Sequence, residues 1–376
     1  MSKLKLGMVG GGQGAFIGGV HRMAAAIDGQ WEFVAGALSS DPARALASGQ
    51  ELGLAAERIY PSFEEMAKAE AARPDGIDAV AIVTPNHMHA APAVAFLKAG
   101  IHVICDKPLA ATMEDAEAIA AAVKESGKLF VLTHNYSGYP LVRQAKEMIA
   151  RGDLGDIRVV QVEYPQDWLT EPADNKQADW RTDPARSGAG GCVGDIGTHA
   201  FHLASFVTGL KTEKLAADLD AFVEGRRVDD NVNVMLRFAG GAKGMLWASQ
   251  VAPGNENGLR LRVYGSKGGI EWMQAVPNHM YYTPFGKPMQ ILTRGGAGAT
   301  EAATRVTRIP SGHPEGYLEA FATIYREAAA MIRHAKDGTP LPAGVEAPSI
   351  EDGLTGMRFI SACITSSRND AAWTAL

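Results

Sequence analysis

Asp195, His199 and His202 stand at i, i+4 and i+7 in the stretch 188–202, GAGGCVGDIGTHAFH. On a helix running from Asp195 to Thr208 these three side chains share one face. A carboxylate one turn from an imidazole orients the ring and raises its basicity, which a general base for a hydroxyl proton needs. The same residues also suit a plainer role, with Asp195 capping the helix start and the histidines packed in an apolar helix. Glycines ahead of Asp195 favour the chemical reading, because they let backbone approach a ligand closely. A second reactive group is Lys107, in Cys105-Asp106-Lys107-Pro108. The proline ends the strand before it, so the ammonium is expected at the carboxyl edge of a sheet. A lysine alone in such a loop would more simply be a solvated charge.

A third constellation follows the first apolar run. Leu4 to Val9 leads into Gly10-Gly11-Gly12-Gln13-Gly14-Ala15-Phe16-Ile17-Gly18 and then a helical stretch. Glycines permit a tight turn and close approach to a pyrophosphate, whose charge meets the N–H groups and dipole of the helix start. Gly10, Gly12, Gln13, Ala15, Phe16 and Ile17 are therefore candidate cofactor contacts, with the third small residue either Ala15 or Gly18. A functionless glycine turn is the alternative. The second strand tip carries Ser39 and Ser40, followed by Asp41 and Arg44. Serines accept a 2′-phosphate without repulsion and Arg44 supplies a counter-charge, which favours NADP. An Asp41 on the ribose hydroxyls would favour NAD instead.

Thr84-Pro85-Asn86-His87-Met88-His89 closes another strand, where an open parallel sheet binds its ligands. Thr84, Pro85, Asn86, His89, Asp106 and Lys107 join the cofactor candidates. His87 and His89 have the spacing of metal ligands, but no third ligand accompanies them and no metal is expected. Gln166-Asp167-Trp168 and Asp179-Trp180-Arg181 place tryptophan beside charged groups. Such pairs hold a sugar ring by stacking on its apolar face and bonding its hydroxyls, although exposed aromatics equally suit a subunit interface. His313-Pro314-Glu315-Gly316-Tyr317 is a similar segment.

These groups need a scaffold, and the pattern of apolar runs supplies one. Strands are expected over 4–9, 31–38, 79–84, 102–105 and 129–133, with helices over 18–27, 42–49, 62–71, 89–99 and 113–125. Apolar strands alternating with helices indicate an α/β domain, a doubly wound parallel sheet covered on both faces. The pattern changes past about residue 150. Val232, Val234, Leu236 and Phe238 alternate with polar or long side chains, as in a half-buried strand. Further strands are expected over 157–164, 243–250, 259–264 and 269–273 as an antiparallel meander, and helices over 314–334 and 349–368. The expected division is 1–137 for dinucleotide binding and 138–376 for an α+β substrate and oligomerisation domain. Its last helices are expected to pack back on the first domain.

Composition narrows the field. The chain has 376 residues, a net charge of -6 and 46% hydrophobic residues, so it carries no basic footprint for nucleic acid. Three scattered cysteines give neither a disulfide framework nor a zinc cluster. No apolar window reaches membrane-spanning length and no signal segment opens the chain, leaving the cytoplasm by exclusion.

Taken in order, the glycine loop with Gly18-Gly19-Val20-His21-Arg22, Thr84-Pro85-Asn86, Asp106-Lys107-Pro108 and Gly191 through Asp195 to His199 resemble the Gfo/Idh/MocA family of oxidoreductases. The resemblance covers nearly the whole chain. It implies a Rossmann domain followed by an α+β domain with an open, mainly antiparallel sheet. It also implies oxidation or reduction of a secondary alcohol or ketone on a sugar, glycoside or cyclitol, using NAD or NADP. By the same resemblance Lys107, Asp195 and His199 are the catalytic residues, and Asn86 and Asn135 line the nicotinamide end. Lys107, Tyr136, Trp168, Trp180, Arg181, Asp195, His199 and His313 are the expected substrate contacts. Two departures stand out: Asp106 replaces the family's usual glutamate, and the glycine loop is longer by about three residues. The family's open sheet implies a homodimer or homotetramer. Competing readings are a tightly held dinucleotide used in a closed redox cycle for glycoside cleavage or epimerisation, and a non-catalytic dinucleotide-binding regulator.

Overall fold

The computed structural model describes residues 2–173 and 175–376, with no side chain described for Lys176. Two compact units divide the chain, one of residues 1–135 and 321–354, the other of 136–320 and 355–376.

The first unit builds β1 (Leu4–Gly10), α1 (Phe16–Ile27), β2 (Trp31–Ala37), α2 (Pro42–Glu51), α3 (Phe63–Ala72), β3 (Ala79–Val83), α4 (Ala90–Lys98), β4 (His102–Cys105), α5 (Met113–Ser126) and β5 (Phe130–Leu132). The five strands are all parallel, in the order β2-β1-β3-β4-β5. Every residue of β3 is buried, as expected of a strand covered on both faces. Strand order reverses between β1 and β3, so the crevice at their carboxyl ends is the topological switch point. Both the glycine loop after β1 and the Thr84-Pro85-Asn86 segment after β3 border it. Residues 321–354 finish this unit. The Trp31 indole N–H donates to the Tyr325 carbonyl at 2.9 Å, and the Leu132 amide donates to Pro348 at 2.9 Å, which protects the β5 edge.

The remaining elements are α6 (Pro140–Ala150), β6 (Ile157–Pro165), α7 (Lys176–Arg181), α8 (Pro184–Ser187), α9 (Thr198–Thr208), β7 (Thr212–Asp220), β8 (Asn231–Phe238), β9 (Lys243–Ser249), β10 (Arg260–Gly265), β11 (Gly268–Met273), β12 (His279–Pro284), β13 (Gln290–Thr293), α10 (Glu301–Val306), α11 (Tyr317–Asp337), α12 (Ile350–Arg368) and β14 (Thr374–Ala375). Nine strands form one sheet in the order β13-β12-β11-β10-β6-β9-β8-β7-β14. The alternation read in β8 is present, with Val232, Val234, Leu236 and Phe238 buried.

The expected meander needs correcting at its centre. β9 and β10 are not neighbours, because β6 lies between them, parallel to β9 and antiparallel to β10. Turn signals in sequence cannot show that a distant strand has been inserted. The helix expected to start at Asp195 starts instead at Thr198, after a single π-helical turn over Val193–Gly197. No helix among the described residues is long and apolar enough to cross a membrane.

Candidate active site

In the first unit the glycine loop turns through Gly10, Gly11 and Gly14, all at positive φ. A Cβ on Gly18 would stand 2.4 Å from the Gly11 carbonyl oxygen. Gly18 is therefore the glycine that lets the helix pack against the turn, and Ala15 is the N-cap residue of α1. Three loop amides are engaged internally: Gly12 donates to Leu38, Gln13 to the Ser48 hydroxyl, and Ala15 to Gly12.

Asp41, Ser62 and Thr112 cap α2, α3 and α5 with a side-chain oxygen, whereas α1, like α4, has no side-chain cap and no acidic residue in its first turn. Its first N–H groups thus suit an anion, as a pyrophosphate requires. Phe16 lies exposed beside them. At the β2 tip, the Asp41 carboxylate accepts from the Arg44 amide and the Asp41 backbone amide donates to the Ser39 hydroxyl, while Ser40 and Arg44 are exposed. Further along the crevice side, Asn86 and Asn135 are buried, and the Asn135 amide nitrogen has no hydrogen-bond partner among the described residues. That buried donor, with the uncapped α1, is what a dinucleotide would satisfy.

Lys107 follows β4 and is half-buried. Beside it, burial alone would raise the Asp106 carboxyl. The His21 imidazole, the Lys107 ammonium and the Thr133 hydroxyl outweigh burial and hold it well below the usual carboxylate range. His21 in turn shares a 2.7 Å hydrogen bond with the Tyr325 hydroxyl. The shorter acid at 106 is thus a fixed negative charge next to the lysine.

In the second unit Asp195 sits in the π-turn and His199 in the first turn of α9. A π-turn takes more residues per turn than an α-helix, and such bulges are frequent at functional sites. The Arg181 Nε and the Gln250 amide donate to the same Asp195 oxygen at 3.2 and 2.9 Å. Arg181 lies over the Trp180 ring at 4.2 Å and the Trp168 ring at 6.0 Å. On the other side the Tyr136 ring stands edge-on to His199 at 4.9 Å, and Tyr164 lies 6.2 Å from it. Burial pushes both phenols up, and the Asp195 charge adds to that rise. Their hydroxyls join, and Tyr164 donates to Asn257, which also accepts from Gln166, itself bonded to the Trp168 indole. The expected residues Tyr136, Trp168, Trp180, Arg181, Asp195 and His199 therefore form one polar-aromatic cluster. His313 is exposed, and the residue of its segment that meets the cluster is Tyr317, 6.4 Å from Tyr136.

Gly191, four residues before Asp195, has a cause other than the expected close approach to a ligand. A Cβ on Gly191 would lie 2.3 Å from the Asp229 carbonyl oxygen, so the protein's own backbone fills that space. Asp229 grips the run: its carboxylate accepts from the Gly191 and Val193 amides, both at 2.7 Å, and its carbonyl from Cys192.

Comparison with known proteins decides the family. Residues 4–134 match the oxidoreductase family with an NAD-binding Rossmann fold, and residues 142–271 match the GFO/IDH/MocA C-terminal domain. An oxidoreductase of Bacillus subtilis is 35% identical over 377 residues, covering 98% of this chain and 96% of its own length. The chain belongs to the Gfo/Idh/MocA oxidoreductase family. A solved oxidoreductase from Sinorhizobium meliloti is 56% identical with a TM-score of 0.91, covering 99% of each chain. An inositol dehydrogenase homolog from Azotobacter vinelandii, complexed with NADH and myo-inositol, is 35% identical with a TM-score of 0.94, covering 100% of this chain and 98% of its own. The levoglucosan dehydrogenase of Pseudarthrobacter phenanthrenivorans is 34% identical over 295 residues, 72% of this chain and 73% of its own.

Sequence reasoning missed Gln250, Tyr164 and Asn257 in this Gfo/Idh/MocA oxidoreductase. Tyr164 and Gln250 close two expected strands, and the carboxyl ends of strands were the available signal. The clamp on Asp195 makes a first prediction. Arg181→Gln removes the guanidinium charge from the Asp195 carboxylate and so should raise His199 basicity. The acid limb of kcat/KM should move up by about one pH unit. An unmoved limb would separate Arg181 from the titration of His199.

Asp229 makes a second. Burial pushes its carboxyl up to about 6 despite the Val193 and Gly191 amides. The fold then holds a proton that the unfolded chain has released, so stability falls as pH rises from about 4 to about 6. The rise from the ordinary 3.8 amounts to on the order of 3 kcal/mol. Urea melts across that window should show the decline in the parent and a flatter course in Asp229→Asn; parallel courses would refute it.

Proposed function

We propose that this oxidoreductase oxidises a secondary alcohol of a cyclitol, sugar or glycoside, with NAD or NADP as hydride acceptor. The observation that carries the reading is the Asp195 carboxylate, held by Arg181 and Gln250 four residues before the His199 imidazole, in a cluster with Tyr136, Trp168 and Trp180. An acid–base pair among polar aromatics suits a polyhydroxylated ring, and the relatives that bind myo-inositol or act on levoglucosan support it. The nicotinamide supplies the acceptor for the hydride leaving the carbinol carbon. His199 takes the hydroxyl proton, and Asp195 holds the imidazole for that step. The Lys107 ammonium stabilises the alkoxide charge as it develops, so that a ketone, a reduced nicotinamide and a proton on His199 result. Among the cofactor contacts, the uncapped start of α1 takes the pyrophosphate and Asn135 the nicotinamide end. Ser39, Ser40 and Arg44 favour a 2′-phosphate, because Asp41 is engaged as the cap of α2.

The test is reduced-nicotinamide absorbance with NAD and NADP separately, over inositols, free aldoses and levoglucosan. Turnover of one of these is expected. Silence across the panel from protein that still binds dinucleotide would overturn the substrate class.

The open face of the nine-stranded sheet supports a further expectation. Met235 and Met245 face each other across β8 and β9 and are 53% and 56% exposed. We expect a second copy to cover this face. Light scattering should find a homo-oligomer that Met245→Asp dissociates; a monomeric parent chain would count against it.

A further inference from the structure

β3 and β4 run side by side and pair as far as Ile82 and Cys105, and the Asp106 amide makes the next backbone bond, to Ile82, at 2.9 Å. Beyond it the two chains part, one into Thr84-Pro85-Asn86 and the other into Lys107-Pro108. The His89 side chain spans the gap. The His89 Nδ1 lies 2.9 Å from the Pro108 carbonyl oxygen, and its Nε2 lies 2.9 Å from the Thr84 carbonyl oxygen. The ring is 1% exposed. Its own backbone is fixed too, at the junction of a 3₁₀ turn over Asn86–Met88 and α4, where its carbonyl accepts from Ala93.

With both nitrogens on protein carbonyls, the ring has no nitrogen turned to a cofactor or a metal. We propose that His89 is a positioning residue for Lys107, bracing the residue after the lysine against the end of β3. This rests on the reading of Lys107 as the group that stabilises the alkoxide. The Pro108 carbonyl belongs to the residue directly bonded to Lys107, so a ring that fixes it also fixes where the lysine side chain starts. The Thr84 carbonyl is the rigid anchor, since β3 is the fully buried strand beside the switch point. A misplacement of about 1 Å at a reacting group can cost about 10²-fold in rate. The neutral ring carries one N–H, so one of the two contacts is a donation and the two arms can be separated chemically.

Asparagine at 89 places its amide nitrogen near the position of Nδ1 and glutamine near that of Nε2. His89→Asn therefore keeps the Pro108 arm and His89→Gln the Thr84 arm, while His89→Leu loses both. With myo-inositol and levoglucosan as probes, His89→Leu should lower kcat by about 10²-fold with little change in KM. The NADH dissociation constant, read by fluorescence, should stay within about threefold, which also shows the unit is folded. His89→Asn should recover more of kcat than His89→Gln. The decisive arm places His89→Leu on Lys107→Met: a residue that acts through the lysine has nothing left to lose, so residual turnover should fall by less than about twofold. An equal loss with and without Lys107, or equal rescue by both amides, would overturn the proposal and leave the Lys107 reading intact. If Lys107→Met itself turns over normally, both fall. Should neither probe turn over, trinitrobenzenesulfonate labelling of Lys107, followed by peptide mapping, decides. Its rate should change at least about threefold in His89→Leu and not in His89→Asn, and an unchanged rate would overturn the brace.

Discussion

Lys107→Met is expected to bind dinucleotide like the parent chain and to turn over about 10²–10⁴-fold more slowly. Methionine keeps the length and the apolar stem of the lysine and removes only the ammonium. The residues suited to hold a pyrophosphate lie elsewhere in the first unit, at the uncapped start of α1, so NADH fluorescence titration should be little altered. What changes is the charge balance beside the reacting oxygen. Asp106 is held ionised by His21, Lys107 and Thr133, and without the Lys107 ammonium the charge left beside the proposed alkoxide is that of the Asp106 carboxylate. Losing a stabilising positive charge while a negative one remains nearby is what pushes the loss above that of a single missing hydrogen bond. Recovery of activity in Lys107→Met, Asp106→Asn would support that balance, since the repulsion is then removed as well. Unchanged turnover in the single variant would remove Lys107 from the chemistry.

The parts of this structure that sequence disclosed are those set by neighbours along the chain. β4 (His102–Cys105) coincides with its expected range, and β1, β2 and β3 differ by one residue at their ends, because an apolar run bounded by glycine or proline leaves few alternatives. The pairing of β6 between β9 and β10 was invisible, since strand order depends on contacts across some 80 residues and not on alternation. The π-turn was invisible for a different reason: the i, i+4 spacing of Asp195 and His199 fits an α-helix equally well. The partners of Asp195 come from 14 residues before it and 55 after it, so nothing local announces them. Gly191 shows the limit of reading glycines. Its lack of a side chain says that something comes close, and that something is Asp229, a residue of the protein itself. The glycine loop left two registers open, and of its small residues Gly18 is the one packed against Gly11.

His199→Gln should lose about 10²–10⁴ in turnover near neutral pH, and its pH dependence should change shape as well as height. Glutamine retains a polar side chain of similar reach, so the contact with the Tyr136 ring and the seat in the first turn of α9 are disturbed little. It has no nitrogen that can accept a proton. With His199 as the proposed base, oxidation needs the imidazole unprotonated, so in the parent kcat/KM should fall as pH drops through the His199 titration. With glutamine there is no such titration, and the proton must leave to water or hydroxide, so the rate should keep rising with pH beyond the point where the parent levels off. The clamp on Asp195 sharpens the comparison. Arg181→Gln should shift the parent's acid limb, yet on a His199→Gln background it should shift nothing, because the group whose basicity Asp195 controls is gone. An acid limb that survives His199→Gln would assign that titration to another residue, and the imidazole would then be a packing group of the apolar helix.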